Sequence, residues 1–208
     1  VEAHAETQDI FSEDALQLKE KLIQLCRTVI ERRGGKFELS EEYGVGIVDG
    51  YKGTPEQFFI HAPQIASFLK SERLPLDEKE VEYTLASQLK YGKDDLIIVD
   101  WDGAFIFDPD GEFEETIELL QLANYQLLRY RILDENLDER MRKVSKLTQV
   151  EEKKHWWTFS TKEVSGEFRE IIKVRLQSIS QFEALDRDIK LIGDWYSARL
   201  YDLLASRR

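Results

Sequence analysis

The chain has 208 residues, 42% hydrophobic and 34% charged, enough for one large domain or two small ones around a buried core. Lys+Arg 29 against Asp+Glu 41 leaves a net charge of -12, which argues against non-specific binding to nucleic acid or anionic membranes. No run reaches the roughly 18 apolar residues of a membrane span, and the single cysteine, Cys26, excludes an internal disulfide or Cys-based zinc site and favours a reducing compartment.

The first helix is expected to start at Ser12, with Glu13 and Asp14 in its first turn where the helix dipole favours acids. Ala15, Leu18, Leu22, Leu25/Cys26 and Val29 then form its apolar stripe, and Arg32-Arg33-Gly34-Gly35 ends it. Cys26 in that stripe reads as a small core residue. KFEL and GVGIV read as short strands, a short helix follows Pro63, and Asp77 caps another carrying Val81, Leu85 and Leu89. Leu96–Val99 and Ala104–Phe107 flank Asp102-Gly103, a pair that accepts the positive φ of a tight β-hairpin.

Beyond residue 111 the texture changes. Residues 1–111 hold 23 acids, 12 bases and all four prolines; residues 112–208 hold 18 acids and 17 bases and almost no helix breakers. One long helix is predicted from about Glu114 to Leu147, along Ile117, Leu120, Asn124, Leu127, Arg131, Asp134, Leu137, Met141 and Val144, with a parallel stripe through Ala123, Tyr130 and Leu133. A second runs from Phe168 to Leu204 through Ile172, Ile179, Phe182, Ile189, Tyr196 and Leu200. The expected fold class is α+β: an acidic α/β head with a β-hairpin (1–111), then a long antiparallel helical hairpin or bundle (112–208).

Four groups of residues invite a chemical reading. Asp100, Asp102, Asp108, Asp110 and Glu112 place five acids within thirteen residues, so Mg²⁺ or Ca²⁺ is the possible cofactor, although neither Asp-x-Asp-Gly copy has the full ligand set of an EF-hand. The alternative for both copies is turn chemistry, which is preferred. Gly44-x-Gly46-x-x-x-Gly50 is a glycine loop without a following helix, so close backbone approach is preferred to nucleotide binding. Trp156, Trp157 and Phe159, between the two long helices, pack back on the bundle or contact a partner. His4, His61 and His155 show no ligand spacing, no catalytic residue is assigned, and an enzyme is disfavoured.

IIVDWDGAF also resembles the first motif of the haloacid dehalogenase superfamily, which implies Asp100 as nucleophile and Asp102 as general acid/base with Mg²⁺. Ala104 stands where that family has Thr, the segment turns straight into a second strand, and Gly193-Asp194 sits within the apolar stripe of the last helix. The phosphatase reading is therefore the disfavoured alternative.

DLIIVDWDGAFIFD followed by LLQLANYQLLRYRILDENLD resembles, in order and texture, the soluble part of uncharacterised prokaryotic membrane-anchored proteins. More distantly it is similar to the cytosolic part of CorA-type divalent-cation channels, whose Gly-Met-Asn signature is absent; the one methionine is Met141. The resemblance implies a cytoplasmic module, possible placement on the cytosolic face of a membrane, and a possible anchor beyond Arg208. With Val1 rather than Met at its start, the chain reads as a processed or excised piece without signal-peptide features. The leading expectation is a non-enzymatic scaffold that self-associates through its long helices, with no nucleic acid bound. The second is a module that responds to divalent cations through the five acids.

Overall fold

A computed structural model of the chain describes residues 1–35, 39–151, 160–191 and 194–207, with side chains at all of these except 147–151, 160–164, 181–182, 185–186 and 188–191. Two compact units result, Val1–Leu127 with Asp194–Arg208, and Leu128–Gly193. The fold class is α+β.

In the first unit, four strands align in the order β1-β4-β3-β2. They are β1 (Gly44–Val48), β2 (Gln88–Leu89), β3 (Leu96–Val99) and β4 (Gly103–Phe107). The β3–β4 hairpin pairs Val99 with Ala104 and Leu96 with Phe107, β1 runs parallel to β4, and β2 runs antiparallel to β3. Side chains alternate between the faces of a strand, and both faces here are apolar, so the sheet needs cover on two sides. Leu96, Ile98, Phe105 and Phe107 meet Ile65, Phe68 and Leu69 of α2 (Ala62–Lys70). Ile97, Val99, Ala104 and Ile106 meet Leu120 of α4 (Glu114–Glu151) and Leu200 and Leu204 of α6 (Trp195–Arg207). Each such buried side chain contributes about 1.5–3 kcal/mol.

The remaining helices of this unit are α1 (Asp14–Arg32), a 3₁₀ helix over Pro55–His61, and α3 (Glu78–Leu85). Asp77 caps α3 as expected, its Oδ1 accepting from the Lys79 amide at 3.0 Å. Three local expectations change. Ser12 does not cap α1; its hydroxyl donates to the Asp9 carbonyl at 2.8 Å and the helix opens at Asp14. The helix through Val81 stops at Leu85, because Ser87 and Leu89 are recruited to the sheet edge, where the Val99 amide donates to the Ser87 carbonyl at 2.9 Å. In the glycine loop, Gly44 and Gly46 lie in β1, where added Cβ atoms would collide with Lys19 Cε at 2.2 Å and the Phe105 ring at 2.8 Å. Close approach explains them. The KFEL expectation falls on residues 36–38, outside the described residues.

The second long run also divides. Helix α5 covers Ser160–Leu191 and α6 begins at Trp195. The expected continuity through Gly193-Asp194 fails because Asp194 starts a new helix, its carboxylate accepting from the Tyr196 amide at 3.1 Å, the Ser197 amide at 2.9 Å and the Ser197 hydroxyl at 2.7 Å. Three hydrogen bonds to one side chain outweigh the apolar periodicity that crosses it.

In the second unit, Arg140 of α4 and Glu167 of α5 form an ion pair at 3.3 Å. Val144 of α4 is buried, Ile132, Leu133 and Leu137 are half-buried, and so are Ile171, Val174 and Ser178 of α5.

Candidate functional site

The acids near the hairpin do not form one group. Strand β4 separates Asp100 and Asp102, at its start, from Asp108, Asp110 and Glu112 beyond its end. Six residues of extended chain separate Asp102 from Asp108 by about 20 Å. Among the described residues no three metal-ligating side chains converge. A shared cation for all five is therefore ruled out by the strand between them.

Each group has a local task. Asp108 Oδ1 accepts from the amides of Asp110 at 2.9 Å and Gly111 at 3.0 Å, turning the chain out of the sheet toward α4. Asp110 and Glu112 are exposed. At the other end, Asp100 N donates to the Gly103 carbonyl at 2.8 Å, which closes the hairpin around Trp101 and Asp102. Gly103 does not take positive φ, contrary to the expectation for a tight turn. Its lack of a side chain serves close packing instead, since a Cβ there would lie 2.7 Å from the Gly44 carbonyl oxygen.

Two lysines clamp this turn. Asp100 is 5% exposed, and its Oδ2 forms an ion pair with Lys70 Nζ at 2.9 Å. Lys70 also meets Glu80 Oε1 at 2.8 Å. Burial works against the Lys70 ammonium, but the Glu80 and Asp100 carboxylates outweigh it and raise its pKa above the ordinary lysine value. Tyr43 Oη donates to the Asp100 carbonyl at 3.2 Å.

Lys19, 8% exposed, sends its ammonium to the Phe68 carbonyl at 3.1 Å, Ser71 Oγ at 2.5 Å and the Asp102 carbonyl at 3.5 Å. It also stands 4.8 Å from the centroid of the Phe68 ring. Phe68 lies in the last turn of α2 and Ser71 is its left-handed C-cap, so the cation meets the negative end of that helix. Burial pulls the Lys19 pKa down to about 8, against the opposing charges of Asp102 and Glu42. The α1 stripe reading missed this residue; Lys19 sits one helical turn after Ala15, on the buried face, while Leu25 and Val29 are exposed and Cys26 is half-buried. A lysine at i+4 from a buried alanine was the available signal.

The arrangement secures a hairpin. It gives no support to a haloacid-dehalogenase-like centre, because β3 returns directly as antiparallel β4 instead of entering a loop and helix, and Asp100 is engaged by Lys70.

The second unit holds a different kind of feature. At about 100° per residue, Glu167, Ile171, Val174 and Ser178 share the covered face of α5. Phe168, Ile172, Leu176 and Ile179 lie together about 120° round the helix, and they are 45%, 55%, 61% and 44% exposed. The periodicity of the sequence treats Phe168, Ile172 and Ile179 as interior residues; they are a second, uncovered face. The candidate partner residues Trp156, Trp157 and Phe159 lie outside the described residues. No described helix is long and apolar enough to cross a membrane.

No solved structure matches the chain. It is similar to "Uncharacterized protein MJ0711" of Methanocaldococcus jannaschii, 27% identical over 192 residues. That match takes in 92% of the chain and 57% of the relative, so the chain spans little more than half the length of that curated protein. The link to CorA-type channels finds no support in these similarities. The family described as "Uncharacterized protein MJ0711, N-terminal domain" matches residues 1–114, and the chain belongs to it.

Proposed function

We propose that the chain is a non-catalytic interaction module whose working surface is the outward face of α5. One observation carries this reading: four large apolar side chains, Phe168, Ile172, Leu176 and Ile179, stand in a continuous row at 44–61% exposure. A helix with a single apolar stripe covers it against its own domain. Here a second apolar row stands about 120° round from the covered face, and contiguous exposed apolar surface marks a place where another molecule binds. Of the acids that would carry phosphoryl or metal chemistry, Asp100 pairs with Lys70 and Asp108 accepts from two turn amides. The resemblance to membrane-anchored proteins makes the cytosolic face of a membrane the compartment in which to look for the assembly.

The test is the native size of the protein in detergent extracts of its source cells, with membrane and cytosolic fractions kept apart. The expected result is a particle heavier than one chain that shrinks to the lone chain on Leu176→Asp, with the helical circular-dichroism signal unchanged. A lone chain in both fractions, or a large particle indifferent to the substitution, refutes the reading.

A further inference from the structure

The partner of the α5 face is open to argument from charge. Arg169 lies beside the start of the apolar row and Glu183 one turn past its end, and both are exposed. Among the described residues neither has an ion-pair partner. Leu176, the most exposed member of the row, lies seven residues from each of them, about 10.5 Å along the axis in either direction.

That symmetry distinguishes the possible pairings of two α5 helices. Laid parallel, Arg169 meets Arg169 and Glu183 meets Glu183 of a second copy, like charge on like. Laid antiparallel about Leu176, each Arg169 meets the other copy's Glu183, while the two Leu176 side chains meet on the dyad. From these positions, and resting on the interaction reading above, we infer that the row on α5 binds a second copy of this chain as an antiparallel, two-fold symmetric helix pair centred on Leu176.

An isologous contact of this kind closes on itself and stops at a dimer. Four side chains per copy supply less than the roughly 800 Å² per partner of a standard interface, so the expected dimer is a weak one. The flanking charges then set orientation more than affinity.

Sedimentation equilibrium of the purified chain, from low to hundreds of micromolar, gives the first readout. The structure requires a monomer–dimer equilibrium that Leu176→Asp abolishes. Arg169→Glu alone and Glu183→Arg alone each weaken the dimer about tenfold, because both symmetry-related pairs turn from attraction to repulsion. The double variant Arg169→Glu/Glu183→Arg restores the parent affinity to within about threefold. In a Cys26→Ser background, Leu176→Cys forms a disulfide-linked dimer under mild oxidation. A monomer at every concentration overturns the inference, as does a dimer indifferent to Leu176→Asp or a double variant as weak as the singles. If the purified chain is a monomer while the particle in cells still depends on Leu176, the surface takes a different partner and only the self-pairing falls. If neither depends on Leu176, the interaction reading falls with it.

Discussion

Lys19→Met tests whether a buried ammonium holds the head together. The folded state pulls the Lys19 pKa from 10.5 to about 8, with burial as the main cause. At 1.36 kcal/mol for each pH unit between the two values, the fold opposes this charge by about 3 kcal/mol. The sign follows from proton counting: between pH 8 and 10.5 the unfolded chain holds a proton on Lys19 that the folded chain has released, so stability rises with pH across that window. From pH 7 to 9.5 the gain is about 2 kcal/mol, equivalent to a rise in Tm of about 4–8 °C for a unit of this size. Burial, helped by nearby carboxylates, raises Tyr51 and Tyr196 to about 12. They oppose the trend only as pH climbs beyond 10, because the unfolded phenols then lose protons first. In Lys19→Met the rise disappears. At pH 7 the lost hydrogen bonds to Phe68, Ser71 and Asp102 are partly offset by removal of the buried charge. The assay is hydrogen exchange at the Ile98 and Phe105 amides under urea, which reports the central hairpin whatever the second unit does. Parallel pH curves for parent and variant would show that Lys19 is solvated and the clamp unimportant.

Three further outcomes are expected. Gly103→Ala pushes a methyl group toward the Gly44 carbonyl oxygen and destabilises the β1–β4 pairing by about 1–3 kcal/mol, read by urea midpoint; an unchanged midpoint refutes the close-approach account. Asp194→Ala speeds exchange at the Tyr196 and Ser197 amides. Hydrogen bonds from the Ser197 hydroxyl and the two amides hold the Asp194 carboxyl below its usual pKa, so its contribution is present above the ordinary carboxylate range and is lost as pH falls through the lowered value. Millimolar Mg²⁺ or Ca²⁺ leaves the Tm unmoved, because β4 keeps the two acidic groups apart; a rise of several degrees would require a site that the described residues do not form.

The head was legible wherever one local rule acted without competition. The hairpin shows in Leu96–Val99 and Ala104–Phe107 because both strands are apolar at every position and only Asp100-Trp101-Asp102-Gly103 separates them. Asp77 shows because an acid before a run of good helix formers satisfies free amides. The errors arise where a tertiary partner outbids the local pattern. Leu89 fits the helical spacing of Val81 and Leu85, yet the edge of β3 offers it hydrogen bonds and a buried place. Lys19 looks like an interruption of the α1 stripe until the end of α2 and the hairpin carbonyls are placed around it. The five acids look like one site because they are close in sequence, and an extended strand is the element that keeps sequence neighbours far apart.

The long helices present a subtler case, and it bears on function. A stripe in sequence states which residues share a face, but not that the face is covered by the same chain. On α4 the expected seam is covered at Leu120, Leu137 and Val144 but exposed at Arg131, Asp134 and Met141. On α5 the expected stripe is again on the outside, and Ile171, Val174 and Ser178 face inward. The two misplacements differ in kind. The exposed face of α4 intersperses Tyr130 and Met141 with Asp134, Glu135, Asp138 and Glu139, acids that water satisfies. The exposed face of α5 carries Phe168, Ile172, Leu176 and Ile179, which water does not. The exposed stripe carries little information on one helix and more on the other: where it is apolar, it is the surface on which the proposed interaction rests.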